Sequence, residues 1–216
     1  MRPAERPHRR VYRTRAITRR RRSALALAAL LVLTAVLVAS GTSGGRDRVK
    51  YDRAAAAAYA DRWALTSNPA YWASPDSDCA NFVSQCVRAG GLRPLHSPGG
   101  EWHLNGLEFP SVAWVNVGGQ KAAWSVLTGG SSRTYIATSS SRLPRDWAAG
   151  DVVYLGNTVD GAPEWQHVII CVARVDGDWV YDSHTVAYRR RPLAVWHPAH
   201  FSLIRYCHLA DSVAYD

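Results

Sequence analysis

The chain has 216 residues, and 26 lysines and arginines against 17 aspartates and glutamates give it a formal charge of +9 at pH 7. This length suits one domain of ordinary size and an appendage. An apolar fraction of 47%, with nine Trp and ten Tyr, excludes an intrinsically disordered protein. Four cysteines are too few for a disulfide-dense scaffold.

The positive charge is confined to the N-terminus. Residues 1–22 hold ten arginines and one glutamate, whereas residues 23–216 hold 16 basic and 16 acidic residues. The rest of the chain is therefore neutral overall, and we expect no nucleic-acid partner. The alternative, a nucleic-acid-binding protein, would depend on the arginine segment alone.

Residues 1–40 have the pattern of an export segment. Residues 24–39 are aliphatic except for Thr34, and small residues follow them. Cleavage after Ser40 would remove a signal peptide. The alternative is a retained membrane anchor, although 16 residues span only about 24 Å of a ~30 Å hydrocarbon core. Both interpretations keep the arginine cluster in the cytoplasm and place the C-terminal part outside the cytoplasmic membrane. The partner of the N-terminal segment would be the membrane or the export machinery.

A linker is expected at residues 41–50, followed by one domain over residues 51–216. An alanine-rich stretch predicts a helix over 52–65. A second helix is predicted over 79–89, because polar N-cap candidates at 76–78 precede it and two glycines at 90–91 follow it. Residues 92–142 are rich in Gly, Pro and Ser and predict loops with one helix.

Alternating and apolar runs predict strands over 151–155, 167–175, 179–185 and 201–208. An Asp-Gly-Asp turn at 176–178 joins the second and third of these as a hairpin. Helices followed by antiparallel strands predict an α+β fold.

Cys79 is the strongest candidate for chemistry, because the first turn of a helix stabilises a thiolate. A cysteine nucleophile needs a base, and His167 opens an apolar strand later in the chain. A third, orienting residue would be His184 or Asp182, which lie two residues apart on the next strand. The alternatives are a cysteine buried as a small hydrophobe and a zinc site formed by Cys79, His167 and His184.

Several blocks of the sequence resemble the putative amidase domain family. The most specific is the run Asp-Cys-Ala-Asn-Phe-Val-Ser-Gln at residues 78–85. The others are residues 51–53, 68–71, 89–91, 102, 111, 114, 150–154, 167–170 and 184–185. The resemblance covers residues 51–208.

That family is similar to the NlpC/P60 and CHAP branches of the papain-like cysteine hydrolases. The resemblance implies a papain-like α+β fold, with N-terminal helices packed on a central antiparallel sheet. It implies Cys79 as nucleophile, His167 as general base and His184 as the residue that orients the base, with Asp182 as the alternative. The oxyanion would be bound by the backbone N–H of Cys79, with Asn68 or Tyr71 as an additional donor.

We therefore expect an exported, monomeric cysteine hydrolase that cleaves amide or peptide bonds through a thioester, with peptidoglycan peptides as its substrate. No cofactor and no metal is expected. Two alternatives stay open, namely a cysteine acyltransferase and a non-catalytic envelope-binding module with the same fold.

Overall fold

The computed structural model describes residues 47–97, 100–104, 110–127, 133–137, 143 and 145–215. The predicted export segment, residues 1–40, and residues 41–46 of the predicted linker lie outside the described residues. Within the described ranges, no helix is both long and apolar enough to cross a bilayer. The predicted domain, residues 51–216, is described over most of its length.

Helices dominate the first half of the domain and strands the second. The helices are α1 (Arg53–Trp63), α2 (Cys79–Ala89), α3 (Val112–Val115) and α4 (Val117–Leu127), with one 3-10 turn at Leu193–Val195. The strands are β1 (Asp47–Lys50), β2 (Leu95–Ser97), β3 (Gly100–Trp102), β4 (Arg133–Ala137), β5 (Val152–Val159), β6 (Ala162–Val175), β7 (Asp178–Ser183), β8 (Tyr188–Pro192), β9 (Leu203–His208) and β10 (Ser212–Tyr215).

Six strands form one sheet in the order β4-β9-β5-β6-β7-β8, and every neighbouring pair is antiparallel. The hairpin predicted at residues 176–178 is confirmed as the connection between β6 and β7. Two small antiparallel pairs, β1 with β10 and β2 with β3, complete the described strands. The domain is therefore α+β.

The structure differs from the sequence-based expectation where the segments that pair with each other lie far apart in the chain. Residues 47–50 were expected in the linker, but they form β1, because they pair with Ser212–Tyr215 at the other end of the domain. Residues 92–142, expected as loops with one helix, contain two helices and three short strands within their described parts. Helix α2 is confirmed at both of its predicted ends.

The central sheet separates two apolar cores. The helix-side core joins α1, α2 and α4 to the sheet and contains Phe82, Cys86, Val168 and Ile170. The far-side core lies on the opposite face, and its main members are Trp147, Ile169, Cys171, Trp196, Ile204 and Tyr206. Side chains along β6 alternate between the two cores, as a strand buried on both faces requires. All four cysteines are buried as thiols, and none forms a disulfide.

Asp151 ties α1 to the sheet from a fully buried position at the entry to β5. Its carboxylate accepts hydrogen bonds from Arg53 Nη1 at 2.6 Å and from His208 Nδ1 at 2.8 Å. The backbone N–H groups of Ala148 and Leu209 also donate to it, at 2.8 and 3.0 Å. These four contacts make Asp151 a structural residue.

Replacing Asp151 with Asn is expected to lower the free energy of unfolding by about 3–5 kcal/mol, because the largely buried Arg53 would keep only the exposed Asp211 as an ion-pair partner. Urea unfolding of the full chain measures this change. The matched control is Asp47→Asn, which breaks an exposed pair with Arg93 and should cost about 1 kcal/mol or less. Equal losses in the two variants would contradict the structural role of Asp151.

Candidate active site

Helix α2 begins at Cys79, and its first N–H groups are capped by a residue from a distant part of the chain. The backbone N–H groups of Asp78 and Cys79 both donate to Thr185 Oγ1, at 3.0 and 3.2 Å. Asp78 stands at the N-cap position, as predicted, but its side chain makes no capping hydrogen bond to the helix backbone. The positive end of the helix dipole is therefore directed at the Thr185 hydroxyl and the adjacent sulfur.

The Cys79 thiol is buried, and only 3% of the residue is exposed. Burial raises the pKa of the thiol, while hydrogen bonds from the Val168 backbone and the Thr185 hydroxyl act in the opposite direction. Burial is the larger effect, so the thiol is protonated at neutral pH in this arrangement. His167 and His184 are not among the groups that shift the pKa of this thiol.

His184 forms a buried pair with Asp78 beside the start of α2. Its Nδ1 lies 2.7 Å from Asp78 Oδ2, and its Nε2 lies 2.8 Å from the carbonyl oxygen of Trp63. Oxygen atoms of these two partners therefore engage both ring nitrogens of His184. The ring also stacks on Phe82, with 4.0 Å between the ring centroids.

The rest of the Asp78 carboxylate is also engaged. Its Oδ1 accepts from the Ser74 backbone at 3.0 Å and from the Asn81 side-chain amide at 2.7 Å. A charge at this place would oppose a Cys79 thiolate if it stood alone. The His184 ring and these two donors surround the carboxylate.

His167 lies on the opposite face of the sheet from Cys79. Its ring stacks on Phe201 at 5.9 Å between centroids and lies 6.4 Å from Trp196, so it belongs to the far side. Burial lowers the pKa of His167 to about 4, and its Nε2 has no hydrogen-bond partner. His167 is therefore neutral with an available nitrogen, but the structure does not bring it to Cys79.

Neither residue predicted to orient the base contacts His167. His184 is occupied by Asp78 and Trp63, as described above. Asp182 Oδ1 accepts from the Arg190 backbone at 2.6 Å, and its Oδ2 is buried without a partner. Burial, with a smaller effect of the negative Asp61, raises the pKa of Asp182 to about 6.

The two side chains predicted as additional oxyanion donors have structural contacts instead. Asn68 Nδ2 donates to Tyr59 Oη at 2.8 Å, and that hydroxyl donates to Gln85 at 2.7 Å. The Tyr71 ring stacks on Trp114, with 6.4 Å between centroids. The second N–H group beside Cys79 is the backbone of Asp78, which sequence reasoning did not identify.

Other polar residues of the block at 78–85 hold the surroundings of α2. The Asn81 side chain accepts from the Trp114 indole at 2.8 Å and donates to the Trp72 carbonyl at 2.8 Å. The Ser84 hydroxyl accepts from the Trp102 indole at 2.9 Å and from Gln120 at 2.7 Å. Within this block, Cys79 alone has the chemistry of a nucleophile, and these residues position it.

A cavity of about 270 Å³ opens beside this site. Its lining includes Thr185, His184, Asp78, Leu65 and Pro75. Leu65 is largely exposed, so the entrance has an apolar edge. A larger cavity, about 360 Å³, lies on the far side next to Trp179 and Tyr206, away from Cys79, so cavity size alone does not mark the site.

Among the described residues, no group of three or more His, Cys, Asp or Glu side chains is placed to hold a metal ion. The contacts of Cys79, His167 and His184 given above show these residues apart from one another. The zinc alternative thus has no cluster of ligands in the described part of the chain.

Comparison with known proteins identifies the domain. A sequence model described as "Putative amidase domain" matches residues 50–203. The chain belongs to this family. Its membership of the amidase family points to hydrolysis of amides.

One curated relative and the solved structures add to the comparison. The Uncharacterized protein YhbB of Bacillus subtilis (strain 168) is 30% identical over 131 residues, which are 60% of this chain and 39% of that protein. The chain thus spans well under half the length of this relative. No solved structure matches the chain.

For this amidase-family domain, Asp182→Asn is expected to change the dependence of stability on pH. The folded state keeps the Asp182 proton up to about pH 6, whereas the usual value is 3.8, so stability falls as pH rises through this window. The variant lacks this loss. Between pH 4 and 7 its free energy of unfolding should therefore rise relative to that of the wild type by on the order of 1–3 kcal/mol.

Urea unfolding of the full chain at several pH values measures the difference. Asp178→Asn, at the exposed start of the same strand, is the control and should follow the wild type. An Asp182→Asn variant whose pH dependence also follows the wild type would contradict a buried, proton-holding carboxyl.

Proposed function

We propose that this protein is an exported cysteine hydrolase that cleaves amide or peptide bonds, with Cys79 as its nucleophile. One observation carries the proposal: the N–H groups of Asp78 and Cys79 converge on a single oxygen next to the Cys79 sulfur. Two such donors beside a nucleophile are what a tetrahedral oxyanion requires. Membership of the amidase family supports the same chemistry.

A papain-like architecture belongs to the same proposal. A cysteine at the first residue of a helix, packed against an antiparallel sheet that carries a histidine, has the order and the layers of those hydrolases. The support is the packing of α2 on β6 through the helix-side core. Export is proposed from the sequence of residues 1–40.

His167 is the better of the two histidines for the role of general base. A base must be neutral and have a free lone pair, and His167 meets both conditions. Both ring nitrogens of His184 are already engaged by Asp78 and Trp63. The backbone of the next residue, Val168, already donates to the Cys79 sulfur. The His167 backbone is thus close to the thiol, although its ring points to the other face.

Base catalysis therefore requires β6 to rearrange at its start. A β-bulge lies there, since Leu155 pairs with His167 and Gly156 pairs with Trp165, which leaves Gln166 as an additional residue. Because side chains alternate along a strand, a shift by one residue carries a side chain to the opposite face. We infer that such a shift brings the His167 ring onto the face of Cys79 in the active enzyme.

The reaction then follows the chemistry of a thiol nucleophile. His167 takes the Cys79 proton, and the sulfur forms a bond to the amide carbonyl carbon. The carbonyl oxygen becomes an oxyanion held by the N–H groups of Asp78 and Cys79. The C–N bond breaks, the amine leaves with the proton from His167, and water hydrolyses the thioester to a carboxylic acid and the free thiol.

The proposed substrates are peptides of the cell wall, since the chain is proposed to act outside the cytoplasmic membrane. An acyltransferase would use the same thioester and pass it to an amine instead of water. A non-catalytic envelope-binding module is the alternative from another class, and it needs no reactive thiol.

Alkylation of the full chain by iodoacetamide, measured by mass spectrometry at Cys79 as a function of pH, tests the Cys–His pair. The wild type should react well below the ordinary thiol pKa of ~8.5, because the inferred shift of β6 brings His167 into contact with the sulfur and ionises it. His167→Ala should slow the reaction at pH 7 by about tenfold or more. The control His200→Ala, at an exposed histidine, should leave the rate of alkylation at Cys79 unchanged.

Labelling that follows an ordinary thiol and ignores His167→Ala would contradict the catalytic proposal. Release of new amines from purified peptidoglycan peptides then separates the two classes. A hydrolase loses this release in Cys79→Ala, whereas a binding module shows none in either form and retains its affinity for the peptides. Appearance of the acyl group on an added amine would favour the acyltransferase.

A further inference from the structure

The Thr185 hydroxyl oxygen accepts two hydrogen bonds at the start of α2, from the N–H groups of Asp78 and Cys79. A hydroxyl oxygen has two lone pairs, so both are used. The same hydroxyl acts on the Cys79 thiol and lowers its pKa against the larger effect of burial. Thr185 thus bears on both the nucleophile and the two N–H groups beside it.

This oxygen stands where a substrate oxygen would have to bind. An oxyanion that forms on attack by Cys79 needs donors at about 2.7–3.1 Å, and the two N–H groups meet Thr185 Oγ1 at 3.0 and 3.2 Å. Two oxygens cannot occupy one position. Thr185 and a substrate carbonyl therefore compete for the same pair of donors.

The backbone of Thr185 is held in an unfavourable conformation. Its φ is 78°, in the left-handed region that a β-branched residue rarely adopts. The neighbouring contacts enforce it, since His184 is fixed by Asp78 and Trp63 while the Ser183 hydroxyl donates to the carbonyl of Val186 at 3.0 Å. Val186 itself is exposed, so the segment after Thr185 has free space into which it can move.

We propose that Thr185 is a gate, which closes the oxyanion site in the resting protein and must withdraw with residues 185–187 before acyl transfer begins. This inference rests on the proposed function. It assigns to the loop after β7 a regulatory role that the nucleophile and the base do not require.

Two reagents distinguish a gate at the oxyanion site from a change in the reactivity of the Cys79 thiol itself. p-Nitrophenyl acetate acylates a thiolate through a tetrahedral oxyanion: the C–S bond forms, and p-nitrophenolate leaves with the electrons of the broken C–O bond. Iodoacetamide alkylates the same sulfur by displacement of iodide and forms no oxyanion. The ratio of the two rates at Cys79 in the full chain therefore reports the accessibility of the N–H donors.

Three variants of Thr185 define the outcome. Thr185→Gly removes the side chain and suits the left-handed backbone, so the ratio of acylation to alkylation should rise by about tenfold or more. Thr185→Ser retains the hydroxyl and should stay near the wild-type ratio. Thr185→Val keeps the bulk of the side chain without its oxygen, so the ratio of acylation to alkylation should not rise. Val186→Gly is the control for added mobility alone.

A ratio that falls in both Thr185→Gly and Thr185→Val would overturn the gate and make Thr185 a supporting donor. Equal ratios in all variants would also overturn it. The proposed function fails separately, if Cys79→Ala retains the acylation or if the Cys79 of every variant reacts like an ordinary thiol. Acylation that depends on Cys79 but is unchanged by Thr185→Gly leaves the function standing and removes the gate.

Discussion

The pair of Asp78 and His184 joins the first turn of α2 to the end of β7, across 106 positions of the chain. Through its other oxygen, Asp78 also fixes Ser74 and Asn81. Because Thr185 follows His184 directly, the same pair fixes the position of the Thr185 hydroxyl over the N–H groups at Asp78 and Cys79. The environment of the candidate nucleophile therefore depends on one buried Asp–His contact between helix and sheet, and a helix N-terminus alone would not create it. Loss of either partner would leave a buried polar group without its hydrogen bond.

The amidase-family block around Cys79 combines one reactive group with a polar scaffold. Asn81 and Ser84 lie about one turn apart on α2 and each contacts a tryptophan of the neighbouring segments. Gln85 receives a hydrogen bond from Tyr59 of α1. Buried polar groups with all partners in place favour one arrangement over its competitors, because any other packing leaves some of them unsatisfied. These contacts fix the orientation and the position of α2, the helix that carries Cys79.

Local patterns were sufficient for the α+β class, for both ends of α2 and for the turn between β6 and β7. They fail where a contact joins distant segments. Residues 47–50 have no local sign of their pairing with β10, and no spacing rule connects Thr185 to a helix that begins 106 residues earlier. The sequence likewise fails to predict the face of the sheet on which His167 lies. An apolar strand that is buried on both faces does not reveal from its sequence which face a given residue takes, since both faces are equally apolar.

The two groups that hold the Cys79 sulfur in this structure come from the two elements that the proposed mechanism asks to move. The Val168 N–H belongs to β6, next to the bulge that would carry His167 to the other face, and the Thr185 hydroxyl belongs to the loop after β7. β6 and β7 are paired neighbours, with Ile170 opposite Asp182. A shift in the start of β6 would therefore act at the strand that carries the Thr185 loop. Arrival of the base and withdrawal of the gate can then occur as one rearrangement, in which the sulfur exchanges two neutral donors for an imidazolium and the N–H groups become free for a substrate oxygen.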